Sequence, residues 1–71
     1  MKANYRGFEI EATRERALGG WSSIYYTVIR TSDGWFLSDG FTEAEDKIRD
    51  FIGYLKEDID HYYENPSDYE D

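Results

Sequence analysis

The sequence predicts an α+β domain in which a three-stranded antiparallel sheet carries one C-terminal helix on one face, a βββα order. Three observations lead there. Apolar residues alternate with polar ones over residues 5–13, and residues 23–31 are rich in β-branched and aromatic residues. A Ser-Asp-Gly turn at residues 32–34 separates the second stretch from a third. From Ala44 onward the apolar period changes from 2 to about 3.6, the period of a helix packed along one side.

In the first stretch Phe8, Ile10 and Ala12 share one face, and Gly7, Glu9 and Glu11 the other. That is the pattern of a half-buried strand. Residues 14–22 hold Gly19-Gly20 and mixed charges, which predicts a connecting loop. The second stretch, Ser23–Thr31, is rich in β-branched and aromatic residues. Ile24, Tyr26 and Val28 point one way and Tyr25, Thr27 and Ile29 the other, so both faces read as partly buried and the strand as central. Gly34 supplies the positive φ of a tight turn. Trp35–Ser38 then reads as a short third strand, closed by a second Ser-Asp-Gly at residues 38–40.

Thr42 stands where a helix N-cap is expected, and Glu45 three residues later completes a capping box. Glu43, Glu45 and Asp46 suit the positive end of the helix dipole. Ala44, Ile48, Phe51, Ile52, Leu55, Ile59 and Tyr62 fall within about 100° of arc on a helical wheel. Asn65-Pro66 ends the helix, because proline disfavours helical geometry in the residue before it. The expected division is a single domain over residues 1–65, a helix over about 42–63, and an acidic, disordered tail over 66–71.

Composition narrows the function classes. With 71 residues the core is thin, and with no cysteine neither a disulfide nor a thiolate metal site can reinforce it. Aromatic residues make up 18% of the chain and supply the bulk instead. No apolar run follows Met1-Lys2 and none approaches a membrane span, so neither a signal peptide nor membrane contact is expected, and the lack of cysteine fits a reducing cytoplasm.

Charge is the uncommon quantity. The net charge is −8, and it is concentrated in one half. Residues 1–35 carry five bases against four acids, whereas residues 36–71 carry three bases against twelve acids. Such a chain repels nucleic acid and anionic membrane and attracts a basic protein surface. On the wheel Asp46, Asp50, Glu57, Asp60 and Glu64 lie opposite the apolar stripe, with Glu43 just beyond them. At about 1.5 Å rise per residue, neighbouring acids stand roughly 4–11 Å apart. Phosphates along one DNA strand are separated by distances of the same order. These six, with Asp39 in the preceding turn, are the candidate partner-binding residues. Against this stands a plainer reading in which any acidic protein fills its polar helix face with acids, for solubility alone.

Catalytic chemistry finds little footing. His61 is the sole histidine, and beside Asp58 or Asp60 it reads as a surface residue near a helix C-terminus. Neither a nucleophile elbow, nor a phosphate-cradling glycine loop, nor a H-E-x-x-H pair occurs. Asp33 and Asp39 beside glycines read as turn residues, without the ligand alternation of a calcium loop. No enzyme activity, metal or cofactor is expected. Trp21 beside Gly19-Gly20, and the tyrosines Tyr54, Tyr63 and Tyr69, are secondary candidates for contact residues.

A free-standing, cysteine-free, strongly acidic βββα domain with the acid run Glu43, Asp46, Asp50, Glu57, Asp60, Glu64 resembles the small phage-encoded anti-CRISPR proteins of the DNA-mimic type. The likeness is one of architecture and charge over nearly the whole chain. It implies a non-enzymatic inhibitor, monomeric or weakly dimeric, that binds a basic nucleic-acid-binding protein or complex rather than nucleic acid itself. A type I CRISPR surveillance complex is among the partners the resemblance implies, and the cytoplasm of a bacterial host cell is the setting it implies. The almost neutral first half departs from a uniformly acidic mimic. The alternative function is a generic protein-interaction or structural domain that uses its sheet and aromatics, Trp21, Tyr25 and Trp35 among them.

Overall fold

The structure is a computed structural model and describes residues 1–16, 19–20, 22–43 and 45–69. It is α+β, with an antiparallel sheet and one long C-terminal helix, but the sheet has four strands rather than three. The strands β1 (Lys2–Tyr5), β2 (Phe8–Arg16), β3 (Ser22–Arg30) and β4 (Phe36–Thr42) pair in chain order. The helix α1 spans Ile48–Glu64, and a short 3-10 turn, Pro66–Asp68, follows it.

The additional strand is formed by Lys2–Tyr5, which shares only Tyr5 with the expected first strand over residues 5–13. A two-residue hairpin at Arg6-Gly7 folds Lys2–Tyr5 back on Phe8–Glu11, pairing Tyr5 with Phe8 and Ala3 with Ile10. Both turn residues have positive φ, Arg6 at 49° and Gly7 at 84°, which is the backbone of a type I′ turn. Glycine takes that conformation freely; arginine rarely does. Arg6 is held in it from several sides. Its guanidinium donates to Asp60 at 2.7 Å and lies over the Tyr63 ring, 4.3 Å from the centroid. Its carbonyl accepts a hydrogen bond from the Tyr63 hydroxyl at 2.6 Å.

At the other end, β2 runs through Arg14–Arg16 where the sequence predicts loop, because those residues ladder with Ser22–Ile24. β4 is longer than the expected Trp35–Ser38 strand, and the second Ser-Asp-Gly is no turn. Asp39 and Gly40 pair with Thr27 and Tyr26 inside the strand. Gly40, at φ 147°, leaves bare the place where the Tyr26 hydroxyl comes within 3.4 Å of a would-be Cβ. A bulge leaves Leu37 without a partner between the Val28–Ser38 and Ile29–Phe36 pairs. The extra residue lets Leu37 pack against the core while Phe36 stays on the opposite side.

The longer strand also moves the helix. Thr42 pairs with Ile24 as the last residue of β4 and does not cap α1. The N-cap is Lys47, with no side-chain cap bond, so neither Thr42 nor Glu45 forms the expected capping box. Ladder hydrogen bonds to β3 outweigh a cap worth about 1 kcal/mol. Residues 43–47 become a linker, which Arg14 fastens by donating to the Asp46 carbonyl while its other terminal nitrogen donates to the Ser22 hydroxyl. Ala44, expected on the apolar stripe, lies outside the described residues.

The helix covers the face that bears Phe8, Ile10, Ala12, Ile24 and Val28. Ile52, Leu55, Ile59 and Tyr62 meet them, with Ile48 and Phe51 half-buried at the rim. Each fully buried aliphatic or aromatic side chain contributes about 1.5–3 kcal/mol. Aromatic contacts close both ends of the layer. Tyr26 meets Phe51 at 5.3 Å near the start of the helix, and Tyr62 meets Phe8 and Trp35, each at 5.6 Å, near its end. Over Pro66–Tyr69, where the sequence suggests a disordered tail, the chain forms the 3-10 turn and brings Tyr69 against Tyr62 at 5.7 Å. Residues 70–71 lie outside the described residues.

Candidate functional site: an acidic helix and an uncovered sheet face

The seven acids singled out from the sequence do not form one ridge. Asp50, Glu57 and Glu64 are exposed on the outer side of α1, each seven residues from the next. Seven residues are nearly two turns, so the three line up with a spacing of roughly 10 Å. Glu43 and Asp46 sit in the linker before the helix, exposed and preceding its first turn. Between Asp50 and Glu57 the outer side carries Gly53 and Tyr54, and between Glu57 and Glu64 it carries Asp58 and His61.

Asp60 is a correction. The wheel sets it opposite the core, yet it is half-buried on the flank that faces β1. Its carboxylate accepts from the Tyr5 hydroxyl at 2.9 and 3.1 Å and from Arg6 at 2.7 Å. Arg6 and Tyr5 together hold that carboxyl below its ordinary pKa, and Asp60 in turn raises the Tyr5 hydroxyl. The first hairpin, unforeseen in the sequence, put two partners beside it. Asp60 is a structural tie between α1 and the β1–β2 turn.

Asp39 is also displaced from the group. In β4 it shares the face of Thr27, the side of the sheet turned away from the helix.

Bases offer the outer helix little compensation. Arg6 and Arg30 are spent on Asp60 and Asp33, and Arg14 on Ser22 and the linker backbone. Lys56 lies over the Tyr5 ring at 5.5 Å. Along the outer side, Arg49 approaches Asp50 only to 3.9 Å, with both groups exposed. An exposed pair at that distance is worth little.

Other sequence candidates acquire structural roles. His61 Nδ1 and the Tyr69 hydroxyl share a hydrogen bond of 2.7 Å. Burial pushes the Tyr69 hydroxyl above its usual value, and Asp58 and Asp68 push it the same way. Burial likewise raises Asp58, with His61 acting against it. Tyr63 is tied to Arg6, whereas Tyr54 stays exposed with an edge contact to Phe51. Trp35 packs on Tyr62 under the Arg30 guanidinium, which lies 4.8 Å from its ring centroid. Trp21 lies outside the described residues. Among the described residues no group of three or more His, Asp or Glu side chains is placed to hold a metal ion, and no helix is long and apolar enough to cross a membrane.

A second surface, touched in the sequence reading only through Tyr25 among the sheet aromatics, lies on the other side of the sheet. Among the described residues nothing packs on the sheet face away from α1. Its register runs in rows across the strands: Thr13, Tyr25 and Phe41; then Lys2, Glu11, Thr27 and Asp39; then Asn4, Glu9, Ile29 and Phe36. The Tyr25 and Phe41 rings pair at 5.6 Å with a 33° tilt. A shallow groove of about 490 Å³ crosses the first two rows, bordered by Glu11, Thr13, Tyr25, Thr27, Asp39 and Phe41. The signal available beforehand was arithmetical: one helix covers one face, so the Tyr25, Thr27, Ile29 side had no second layer to bury it.

Comparison with known proteins adds no relative: no family model, no curated protein and no solved structure matches the chain.

Proposed function

We propose that the chain is a non-enzymatic binding protein that presents the outer side of its helix to a basic, nucleic-acid-binding surface of a protein partner. One observation carries the reading. Asp50, Glu57 and Glu64 stand in line along the exposed side of α1, while Arg6 and Arg30 are paired with Asp60 and Asp33. Carboxylates at a regular spacing of roughly 10 Å offer a charge pattern that a phosphate-binding groove accepts. Glu43 and Asp46 add exposed carboxylates in the linker before the first turn. Asp60 adds charge nearby but is committed to Arg6 and Tyr5. In its finer form, which follows the resemblance, the protein is an inhibitor that denies DNA to a CRISPR effector by standing in for its charge.

The test is capture of the partner from a bacterial lysate, then competition. Duplex DNA should displace the captured partner, and the affinity should fall steeply as salt rises. The triple variant Asp50→Lys, Glu57→Lys, Glu64→Lys should lose the partner while retaining its circular dichroism spectrum. Retention of the partner by that variant at wild-type affinity would refute the reading.

A further inference from the structure

We infer that the uncovered sheet face is a second binding surface, and that its occupant is an arginine side chain on a basic segment of another protein. The surface lies on the opposite side of the sheet from α1, so the inference stands independently of the acidic helix.

The chemistry of the groove selects the occupant. Tyr25 is 45% exposed and Phe41 64% exposed, although cross-strand aromatic pairs in a domain of this size are more useful inside the core. Phe36, at 51%, continues the apolar surface one row beyond Asp39. The row beside the ring pair is Glu11, Thr27, Asp39, a carboxylate on each side of a hydroxyl. Strands stand about 4.8 Å apart, so the two carboxylates, separated by β3, are roughly 10 Å apart at Cα. A planar cation entering between them lies within reach of both carboxylates and over the faces of two rings. Guanidinium fits that combination better than ammonium, because it stacks on aromatic faces while its edge donates to carboxylates. Lys2 approaches Glu11 to 4.0 Å from the β1 side, a loose and exposed contact that an entering cation can displace.

Charge also argues against a second copy of this chain as the occupant. Face-to-face pairing would bring Glu9, Glu11 and Asp39 against their own equivalents, in a protein of net charge −8. A neutral apolar partner would bury those same carboxylates without compensation. A basic partner meets neither obstacle.

The probe is the capped tripeptide acetyl-Gly-Arg-Gly-amide, titrated into isotopically labelled protein and followed by amide chemical shifts at physiological salt. Saturable shifts should appear at Thr13, Tyr25, Thr27, Asp39 and Phe41. The citrulline analogue, which has the same shape without the charge, should give none. Phe41→Ser should weaken binding about three- to fivefold, the size of one exposed cation–π contact. Asp39→Asn, at an exposed position, provides an independent variant should Phe41→Ser disturb the fold. Asp50→Lys, Glu57→Lys, Glu64→Lys should bind the arginine peptide as wild type does, which separates this surface from the helix. Shifts confined to residues 48–64, equal shifts with citrulline, or no saturable shift would overturn the assignment. So would a concentration-dependent dimer, seen by sedimentation, that Phe41→Ser dissolves.

Discussion

Arg30 shows how much a single side chain can organise in a thin domain. Its guanidinium binds both oxygens of Asp33, at 2.9 and 2.6 Å, donates to the Tyr62 hydroxyl at 3.0 Å, and covers Trp35. The β3–β4 turn, a sheet end and the helix terminus thus share one residue. Asp33 also accepts from the Trp35 backbone N–H at 3.1 Å. Arg30, and then that N–H, hold the Asp33 carboxyl at a pKa of about 2, against an ordinary 3.8. A depressed folded-state pKa means the unfolded chain takes up the proton first as pH falls. The stabilisation is therefore complete above about pH 4 and is lost as pH falls through about 2. Asp33→Asn should melt below wild type at neutral pH, and the gap should close between pH 4 and pH 2. A constant gap across that window in thermal melts would mean that the carboxylate's charge plays no part.

Among the elements, the helix holds the clearest unclaimed stability. Gly53 lies mid-helix on the outer side, and a Cβ there would meet nothing within 4 Å. Glycine in a helix interior costs roughly 1 kcal/mol relative to alanine. Gly53→Ala should raise the unfolding free energy by about that amount, measured by urea denaturation. A neutral or negative change would mean that the helix is not formed at that turn. The start of the helix is a separate matter. The Thr42–Glu45 pattern has every local mark of a cap, yet pairing with Ile24 claims Thr42 for β4. A local signal worth about 1 kcal/mol yields to strand pairing that also seats Phe41 beside Tyr25.

At the scale of the molecule, one helix on a four-stranded sheet leaves two surfaces facing opposite ways, one charged and one aromatic with a charged border. Both are acidic, and the net charge of −8 works against the compact state. Raising ionic strength from about 0.01 to 0.15 M shortens the screening length from about 30 to 8 Å. The melting temperature should rise over that range, since repulsion among Asp50, Glu57, Glu64 and the linker acids outweighs the few exposed ion pairs. A melting temperature that falls with salt would instead assign the net stabilisation to pairs such as Arg6–Asp60 and Arg30–Asp33.

The sequence alone determined what short-range periodicity encodes. Alternation gave β2 and its core residues Phe8, Ile10 and Ala12, composition gave β3, and the 3.6 period gave Ile52, Leu55, Ile59 and Tyr62, whereas the choice of the Ile24 and Val28 face of β3 for the core fell to the tertiary structure. Burial follows the pattern of polarity, and that pattern is local. The Arg6-Gly7 hairpin was hidden because arginine does not announce a positive φ, and its one signal was that Tyr5 falls out of phase with Phe8, Ile10 and Ala12. The tertiary structure decided what depends on competition between distant residues. It decided that Gly40 lies within a strand, because Tyr26 lies against it across the ladder. It decided that Asp60 belongs to a tie and Asp39 to the far face of the sheet, because β1 and β3 reach them first. Which carboxylates remain free to meet a partner is set by what each one already holds, and those holdings span 54 or 55 residues of chain for Asp60.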